Sequence, residues 1–122
     1  MTVSLRFVGR QPEDLRWFIR ADGRHAGGIT VHSLHGGTFS YGIAVAPALR
    51  RQGLAKAALP LLFREMEKRG CRRAAVQIEP GNAASLALHR ALGFAETGRD
   101  SSAVFMERLL DCPSFDFDAS VC

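Results

Sequence analysis

The chain has 122 residues, which fits one domain, and its 47% hydrophobic and 23% charged residues are typical of a globular protein. It has no run of about 18 apolar residues and no apolar signal-peptide core in the opening "MTVSLRFVGR", so we expect a cytoplasmic protein without a membrane span. The net charge of +4 permits nucleic-acid binding but does not argue for it, because no RRM-type aromatic pattern or zinc finger is present.

The first 47 residues consist of strand patterns separated by turn signals. The strand patterns are "TVSLRFV", "LRWFIRA", "RHAGGITVHSL" and "TFSYGIAVA", and only "GRQPED" separates the first two. The Asp-Gly dipeptide at 22–23 and the "HGG" at 35–37 are turn sequences. This order predicts an antiparallel meander of three or four strands.

Apolar residues then follow helical spacing. A first helix is predicted to start near Arg51, to kink at Pro60 and to stop at Gly70, with one apolar stripe formed by Leu54, Ala58, Leu61, Leu62 and Met66. "RAAVQIEP" (73–80) predicts a buried strand. A second helix is predicted within 80–94, with Asn82 as its N-cap, Gly93 as its C-terminal stop and a core side formed by Leu88, Ala91 and Leu92.

The segment "AETG" and the strand pattern "SAVFMERLL" complete this order. A meander followed by helix, strand, helix, strand and strand predicts an α/β protein, with a mixed sheet and helices packed on it. We assign residues 1–110 to a single domain and 111–122 to a C-terminal tail.

The three cysteines, Cys71, Cys112 and Cys122, are odd in number and widely spaced. They form no C-x-x-C pair, and no Cys/His cluster has the spacing of metal ligands. We therefore expect reduced thiols and no metal site, with a redox role for Cys112 and Cys122 as the alternative.

The start of the first helix carries an unusual set of residues, "ALRRQGLAKA" at 48–57. The first N–H groups of a helix lack intrahelical partners, and the helix dipole places partial positive charge there, which favours phosphate-type anions. Gly53 and Ala55 leave the backbone accessible, and Arg50, Arg51 and Lys56 add charge. The residues alone leave two interpretations open: an anion site, or a solvent-exposed basic helix start.

The segment "YGIAVAPALRRQGLAKAAL" resembles the GNAT superfamily of acyl-CoA-dependent N-acyltransferases. The signature of that family is Arg or Gln, two residues, Gly, one residue, then Gly or Ala, and Arg50, Gly53 and Ala55 fill it. "NAASLALHRALGF" resembles the second family motif, and "DGRHAGGITVHS" resembles the hairpin between the second and third family strands. The resemblance covers residues 15–110 and implies a GNAT-like fold.

The resemblance also implies an enzyme that binds acetyl-CoA in a V-shaped opening between the fourth and fifth strands. The pyrophosphate would lie on the N–H groups of Gln52, Gly53, Leu54, Ala55 and Lys56. Backbone groups of Ile43, Ala44 and Val45 would pair with the pantetheine arm, and the N–H of Val45 would donate to the thioester oxygen as the oxyanion forms. Asn82, Ser85 and His89 would form the opposite wall.

His89 stands where many relatives have tyrosine, and there it would protonate the leaving thiolate. The alternative is a surface or packing histidine. The general base is open: some relatives carry a glutamate where this chain has Gln77, so Glu79, on the same strand face, is the substitute candidate. His32 and a water chain are weaker candidates, and Glu79 could instead cap the turn at Pro80. His25 and His35 are expected at the surface.

Relatives usually insert two helices between the first two strands, and these helices help to form the acceptor pocket. Because this chain has only "GRQPED" there, the acceptor half of the site is reduced. A large acceptor in an open groove, a homodimer that completes the pocket, and loss of transferase activity all remain possible. The favoured hypothesis is an N-acetyltransferase in which a primary amine attacks acetyl-CoA directly. The alternatives are a catalytically silent acyl-CoA-binding module and, third, a nucleic-acid-binding domain.

Overall fold

A computed structural model describes residues 1–11, 14–50 and 52–110 of the chain. Arg51 and the predicted tail, with Cys112 and Cys122, lie outside the described residues. The elements are β1 (Val3–Gln11), β2 (Asp14–Ala21), β3 (Arg24–His35), β4 (Thr38–Val45), a 3-10 turn (Pro47–Leu49), α1 (Leu54–Lys68), β5 (Arg73–Ile78), α2 (Ala83–Ala91), β6 (Ala95–Arg99) and β7 (Val104–Leu109).

The seven strands form one mixed sheet in the order β1-β2-β3-β4-β5-β7-β6. Strands β1 to β4 are an antiparallel meander, β5 lies parallel to β4, and β7 pairs antiparallel with both β5 and β6. The predicted meander, the mixed sheet and the α/β class are therefore confirmed.

The turns of the meander follow from residues that tolerate a positive φ. Asp22 and Gly23 have φ values of 52° and 81°, which is the pattern of the type I′ turn that Asp-Gly favours in hairpins. At the other end of β2, Gln11 pairs directly with Asp14, so β1 and β2 form a hairpin without an inserted helix. A bulge interrupts the β1 register between Phe7 and Gly9, whose φ is 144°.

Both helices pack on the same face of the sheet. Phe63 of α1 contacts Phe39 and Tyr41 of β4, and His89 of α2 contacts Tyr41 as well. The buried side chains of β2 alternate toward this face, which encloses the core together with α1 and α2. On the opposite face of β1–β4, which we call the open face, Phe18 is 40% exposed.

Helix α1 begins at Leu54 rather than near Arg51, because a short 3-10 turn precedes it and Gly53 takes the N-cap position. The helix continues through Pro60 without a break and is followed by Gly70 at φ 91°. The packing of α1 against the core keeps Pro60 within the helix, because the nearby Leu59 and Leu62 are fully buried. Tertiary packing thus outweighs the backbone hydrogen bond that proline removes.

Helix α2 ends as predicted, and part of its predicted core side packs against the core. Gly93 has φ 94°, and the N–H of Phe94 donates to the carbonyl of His89 at 2.9 Å, as in a Schellman motif. Leu86 and His89 are the buried residues of the helix, whereas Ala91, predicted as core, is exposed. The prediction placed His89 on the polar face of α2, so it turned Ala91 instead of His89 toward the core.

Candidate active site

Strands β4 and β5 separate along their length. They pair only at their first two positions, Thr38 with Arg73 and Phe39 with Ala74. Toward their carboxyl ends a gap therefore opens in the sheet, as the resemblance implied. On the open face a hollow of about 240 Å³ lies at this point, with Ser40, Gln77 and Phe105 in its lining. In open α/β sheets ligands bind at such carboxyl ends.

The N-terminus of α1 follows β4 at the mouth of this gap. Gly53 has φ 79°, and a Cβ there would meet no atom within 4 Å, so glycine is required by conformation rather than by space. Among the described residues no side chain caps the helix, while its basic Lys56 is exposed. The N–H groups at Leu54, Ala55 and Lys56 are thus at a helix end that favours an anion.

Two polar side chains brace the segment that leads into α1. Nε of Arg50 donates to the Val45 carbonyl at 3.1 Å, and Nε2 of Gln52 donates to the Ala48 carbonyl at 3.4 Å. These contacts tie the connection between β4 and α1 to its own backbone. Arg50 therefore has a structural contact in addition to its exposed charge.

The direction of the β4 backbone groups follows from its pairing with β3. The N–H of Ala46 donates to the Ala26 carbonyl at 2.8 Å, and the register is regular back to Ser40. Because N–H groups alternate sides along an antiparallel strand, those of Ile43 and Val45 are directed away from β3 and toward the gap. The intervening Ala44 has its N–H on the β3 side.

The N-terminus of α2 forms the other side of the gap. Oδ1 of Asn82 accepts the N–H of Ser85 at 3.1 Å, so the predicted N-cap is confirmed. Asn82 is exposed and Ser85 is half-buried. Two helix N-termini therefore flank one gap in the sheet.

His89 is buried, with 4% of its surface exposed, and both of its ring nitrogens have partners. Nδ1 lies 2.8 Å from the Ser85 carbonyl, which can only accept, so Nδ1 carries the proton. Nε2 lies 3.0 Å from the Tyr41 hydroxyl and accepts from it. Burial lowers the pKa of His89, while the hydrogen bond to Ser85 opposes this change.

Tyr41 is the residue of this site that the sequence reasoning missed. Its hydroxyl donates to His89 across the interface between β4 and α2, and burial raises its pKa while Arg108 opposes the rise. Arg108 also donates from Nε to the Leu92 carbonyl at 2.7 Å and stacks on Phe63. The signal was present in "TFSYGIAVA", where a tyrosine hydroxyl within an apolar strand needs a buried partner.

The candidate bases lie at the surface. Glu79 is exposed just past the end of β5, and its carbonyl accepts the N–H of Asn82 at 2.9 Å, so the backbone rather than the carboxylate closes this turn. Gln77 is exposed on the open face, and His32 lies 3.4 Å from the Ser33 hydroxyl. His25 and His35 are exposed, as predicted.

The described residues contain neither a metal-binding cluster nor a membrane-spanning helix. No group of three or more His, Cys, Asp or Glu side chains within them is arranged to hold a metal ion. Neither of the two helices in the described part is long and apolar enough to cross a membrane. Cys71, which lies in this part, is buried and reduced, and burial raises its pKa.

By fold and site the molecule is an α/β protein with an uncapped helix N-terminus beside a split sheet. The model of the Acetyltransferase (GNAT) family matches residues 3–94. The chain is 45% identical over 56 residues to the [Ribosomal protein bS18]-alanine N-acetyltransferase of Escherichia coli K12, covering 46% of this chain and 38% of that protein. It is 41% identical over 61 residues to the Aminoglycoside N(6')-acetyltransferase type 1 of Salmonella typhimurium, covering 50% and 42%.

A solved structure from Salmonella typhimurium, that of YncA with its cofactor acetyl-CoA, is also similar. It aligns at a TM-score of 0.69 and 26% identity, covering 80% of this chain and 65% of that one. The matches to the two curated relatives span less than half of their lengths. The chain belongs to the GNAT acetyltransferase family.

Proposed function

We propose that the protein is an N-acetyltransferase that moves an acetyl group from acetyl-CoA to a primary amine by direct attack. The uncapped, glycine-initiated N-terminus of α1 beside the split between β4 and β5 carries this proposal. The YncA structure holds acetyl-CoA, and the curated relatives are named for acetylation of a ribosomal-protein alanine and of an aminoglycoside. Acetyl-CoA would therefore be the donor substrate.

The donor would be held at the mouth of the gap. Its pyrophosphate would accept hydrogen bonds from the N–H groups at 52–56, and the charges of Arg50 and Lys56 would add to this attraction. The pantetheine arm would lie along Ile43, Ala44 and Val45, where two N–H groups point to the gap. Asn82 and Ser85 would contact it from α2.

The amine nitrogen would attack the thioester carbon, and the carbonyl oxygen would become an oxyanion. The N–H of Val45 would donate to this oxygen, an interaction that strengthens as the charge develops. When the intermediate collapses, the C–S bond breaks and coenzyme A leaves. The amine loses one proton in the reaction, and the thiolate gains one, so the protons balance.

His89 would carry that proton together with Tyr41. The Tyr41 hydroxyl, which donates to Nε2 of the neutral ring, would give its proton to the leaving thiolate while His89 holds it in place. The amine proton would go to Glu79 and then to solvent, and solvent would restore the Tyr41 hydroxyl, so the step first assigned to His89 alone is shared with Tyr41. Glu79 would act, from the strand end, as the base that keeps the incoming amine neutral.

The test is to purify the protein, measure acetyl-CoA binding by calorimetry and follow thiol release with amines, peptides and polyamines. We expect binding together with acceptor-dependent thiol release. Binding without turnover on any acceptor would replace the enzyme with a silent acyl-CoA-binding module. Absence of binding would overturn the donor site itself. Sedimentation of the same sample tests whether a homodimer completes the acceptor pocket, and cell fractionation tests the expected cytoplasmic location.

A further inference from the structure

The open face of the meander carries a cluster of cations. Arg16 and Arg20 lie on this face of β2, and Arg6 lies directly opposite Phe18 in the β1–β2 register. None of the three arginines has an ion-pair partner within the described part of the chain. Asp14 is the one acidic residue in β1–β4, and it lies on the same face as Arg16, two positions earlier in β2, so one carboxylate faces three arginines. The cluster therefore has an excess of positive charge that repels itself.

An aromatic pair lies within this cluster. The ring of His25 meets the edge of Phe18 at 4.9 Å and 88°, and His25 pairs with Arg20 across the strands. Phe18 remains 40% exposed, so the cluster has an apolar contact point at its centre. We call Arg6, Arg16, Arg20 and Phe18 the basic patch.

Small residues connect the basic patch to the gap between β4 and β5. Across the sheet, Arg16 is followed by Thr30 and Gly42. In the next row, Phe18 is followed by Gly28 and Ala44. Neither row has a side chain larger than threonine between the patch and β4. An extended chain could therefore lie flat across this floor.

Access to the gap also favours this face. On the helix side, Tyr41 and His89 are buried, and Phe63 and Phe94 pack around them. Around Tyr41 and His89 the helix side is thus filled with packed side chains, whereas Gly42 and Ala44 are exposed on the open face. An acceptor can reach β4 from the open face without displacing the core.

We infer that the acceptor is a polypeptide that lies across the open face and carries acidic side chains three to five residues from its reactive amine. The inference rests on the proposed transferase function and adds the class of acceptor to it. Neighbouring strands are about 4.8 Å apart, so β2 lies about 10 Å and β1 about 14 Å from β4. An extended chain rises about 3.3 Å per residue, which sets the spacing of three to five residues.

The experiment uses peptides that each carry a single reactive amine. In the first set this amine is the free N-terminus and the peptides have no lysine. In the second set it is one lysine and the N-terminus is blocked. Within each set, positions three to five from the amine are acidic, neutral or basic. We expect kcat/KM for the better set to be about tenfold higher with acidic than with neutral residues. Raising the salt from about 0.01 M to about 0.15 M, which shortens the Debye length from roughly 30 Å to roughly 8 Å, should reduce this preference.

The double variant Arg16→Glu/Arg20→Glu should abolish the preference for acidic peptides and favour the basic ones. Each single variant, Arg16→Glu or Arg20→Glu, is matched by Arg64→Glu, which makes the same charge change at an exposed position of α1, on the other face of the sheet. The control should keep the preference, and all proteins should bind acetyl-CoA equally. Equal rates on acidic and neutral peptides, or an unchanged preference in the double variant, would overturn the inference.

Direct binding keeps this inference separate from the proposed function. The anisotropy of a labelled acidic peptide should report an affinity about tenfold weaker for the double variant than for the Arg64→Glu control. This comparison decides the inference even if the protein fails to bind acetyl-CoA, an outcome that would overturn only the transferase. The inference of an acidic polypeptide would also be overturned if a labelled single-stranded oligonucleotide bound the basic patch more tightly than the acidic peptide does.

Discussion

Nε2 of His89 accepts a hydrogen bond from the Tyr41 hydroxyl, with 3.0 Å between the nitrogen and the oxygen. This hydrogen bond joins α2 to β4 beside the gap in the sheet. The ring of His89 is also held at Nδ1 by the Ser85 carbonyl at 2.8 Å. One tautomer of the neutral imidazole is therefore fixed from both sides. The same pair is a structural contact of the core and the proposed carrier of the proton in the reaction.

Replacing His89 by alanine should lower turnover by about 10²-fold, because general acid–base help is typically worth this much or more. Acetyl-CoA affinity, measured by calorimetry, should stay within about twofold of the parent. The variant should also lose about 1–3 kcal/mol of unfolding free energy, since the Tyr41 hydroxyl is left buried and unpaired. Rates are therefore compared at a temperature where circular dichroism shows both proteins folded.

Tyr41→Phe is the companion variant, because it removes the hydroxyl and keeps the ring. If the two residues act as one relay, the Tyr41→Phe and His89→Ala effects on kcat should not add in the double variant. Full turnover in Tyr41→Phe would exclude the relay. A collapse of acetyl-CoA affinity in His89→Ala would make that residue structural.

Stability should depend on pH through His89. Burial lowers its pKa in the folded protein, so below about pH 6.5 the unfolded chain binds more protons than the folded one. The unfolding free energy should therefore be at its full value above about pH 6.5. It should fall as the pH falls from there toward the folded pKa, by at most about 1.36 kcal/mol per pH unit.

The measurement is urea unfolding of the parent and of His89→Asn at closely spaced pH values. The difference between the two curves isolates His89, because the other titrating groups are common to both proteins. These include Glu96, whose pKa is lowered by the Arg99 hydrogen bond, and Asp100, whose pKa is lowered by the Ser102 hydrogen bonds. Parallel curves between pH 5 and pH 7 would contradict this prediction, since roughly that window contains the unfolded pKa.

Gly53→Ala should weaken acetyl-CoA binding. A side chain at φ 79° costs about 1–2 kcal/mol, and relief of that strain turns the N–H groups at the start of α1 away from the anion. Calorimetry with acetyl-CoA measures the loss. The matched control is Gly23→Ala, at φ 81° in a distant turn with equally open surroundings, which should lose similar stability and bind normally.

Gly27→Ala should destabilise the protein by about 1–3 kcal/mol, a typical cost of overpacking. The added Cβ would overlap the Ala44 carbonyl oxygen, so β4 has to move away from β3. Thermal unfolding measures the effect. At Gly28 the nearest atom to an added Cβ is the Trp17 carbonyl oxygen at 3.6 Å, an ordinary contact, so Gly28→Ala should unfold near the parent temperature.

The order of the elements, the turn between β2 and β3 and both ends of α2 could be predicted from sequence because local chemistry decides them. Asp22-Gly23, Asn82 and Gly93 each fix a turn or a cap without help from distant residues. The environment of His89 could not be predicted in this way. Its partner Tyr41 is 48 positions away, and only the folded sheet brings the two together.

The same contrast explains the start of α1 and the face of α2. Leu54 rather than Arg51 begins α1, because Gly53 takes the N-cap position in the left-handed conformation, at φ 79°. Helical periodicity alone gave Ala91 a buried position, but the polar His89 took the core-facing side once Tyr41 satisfied its ring. Which side of a helix faces the core depends on tertiary contacts when one of its buried residues is polar.

The bulge at Phe7 and Gly9 affects how readily the protein self-associates in a concentrated solution. Strand β1 ends the sheet, and a straight end strand would offer its free amide and carbonyl groups to any passing strand. The extra residue at this bulge twists the strand and breaks the regular spacing of those groups. We therefore expect the bulge to hinder strand pairing between molecules, and with it fibre formation, at the β1 edge of the sheet.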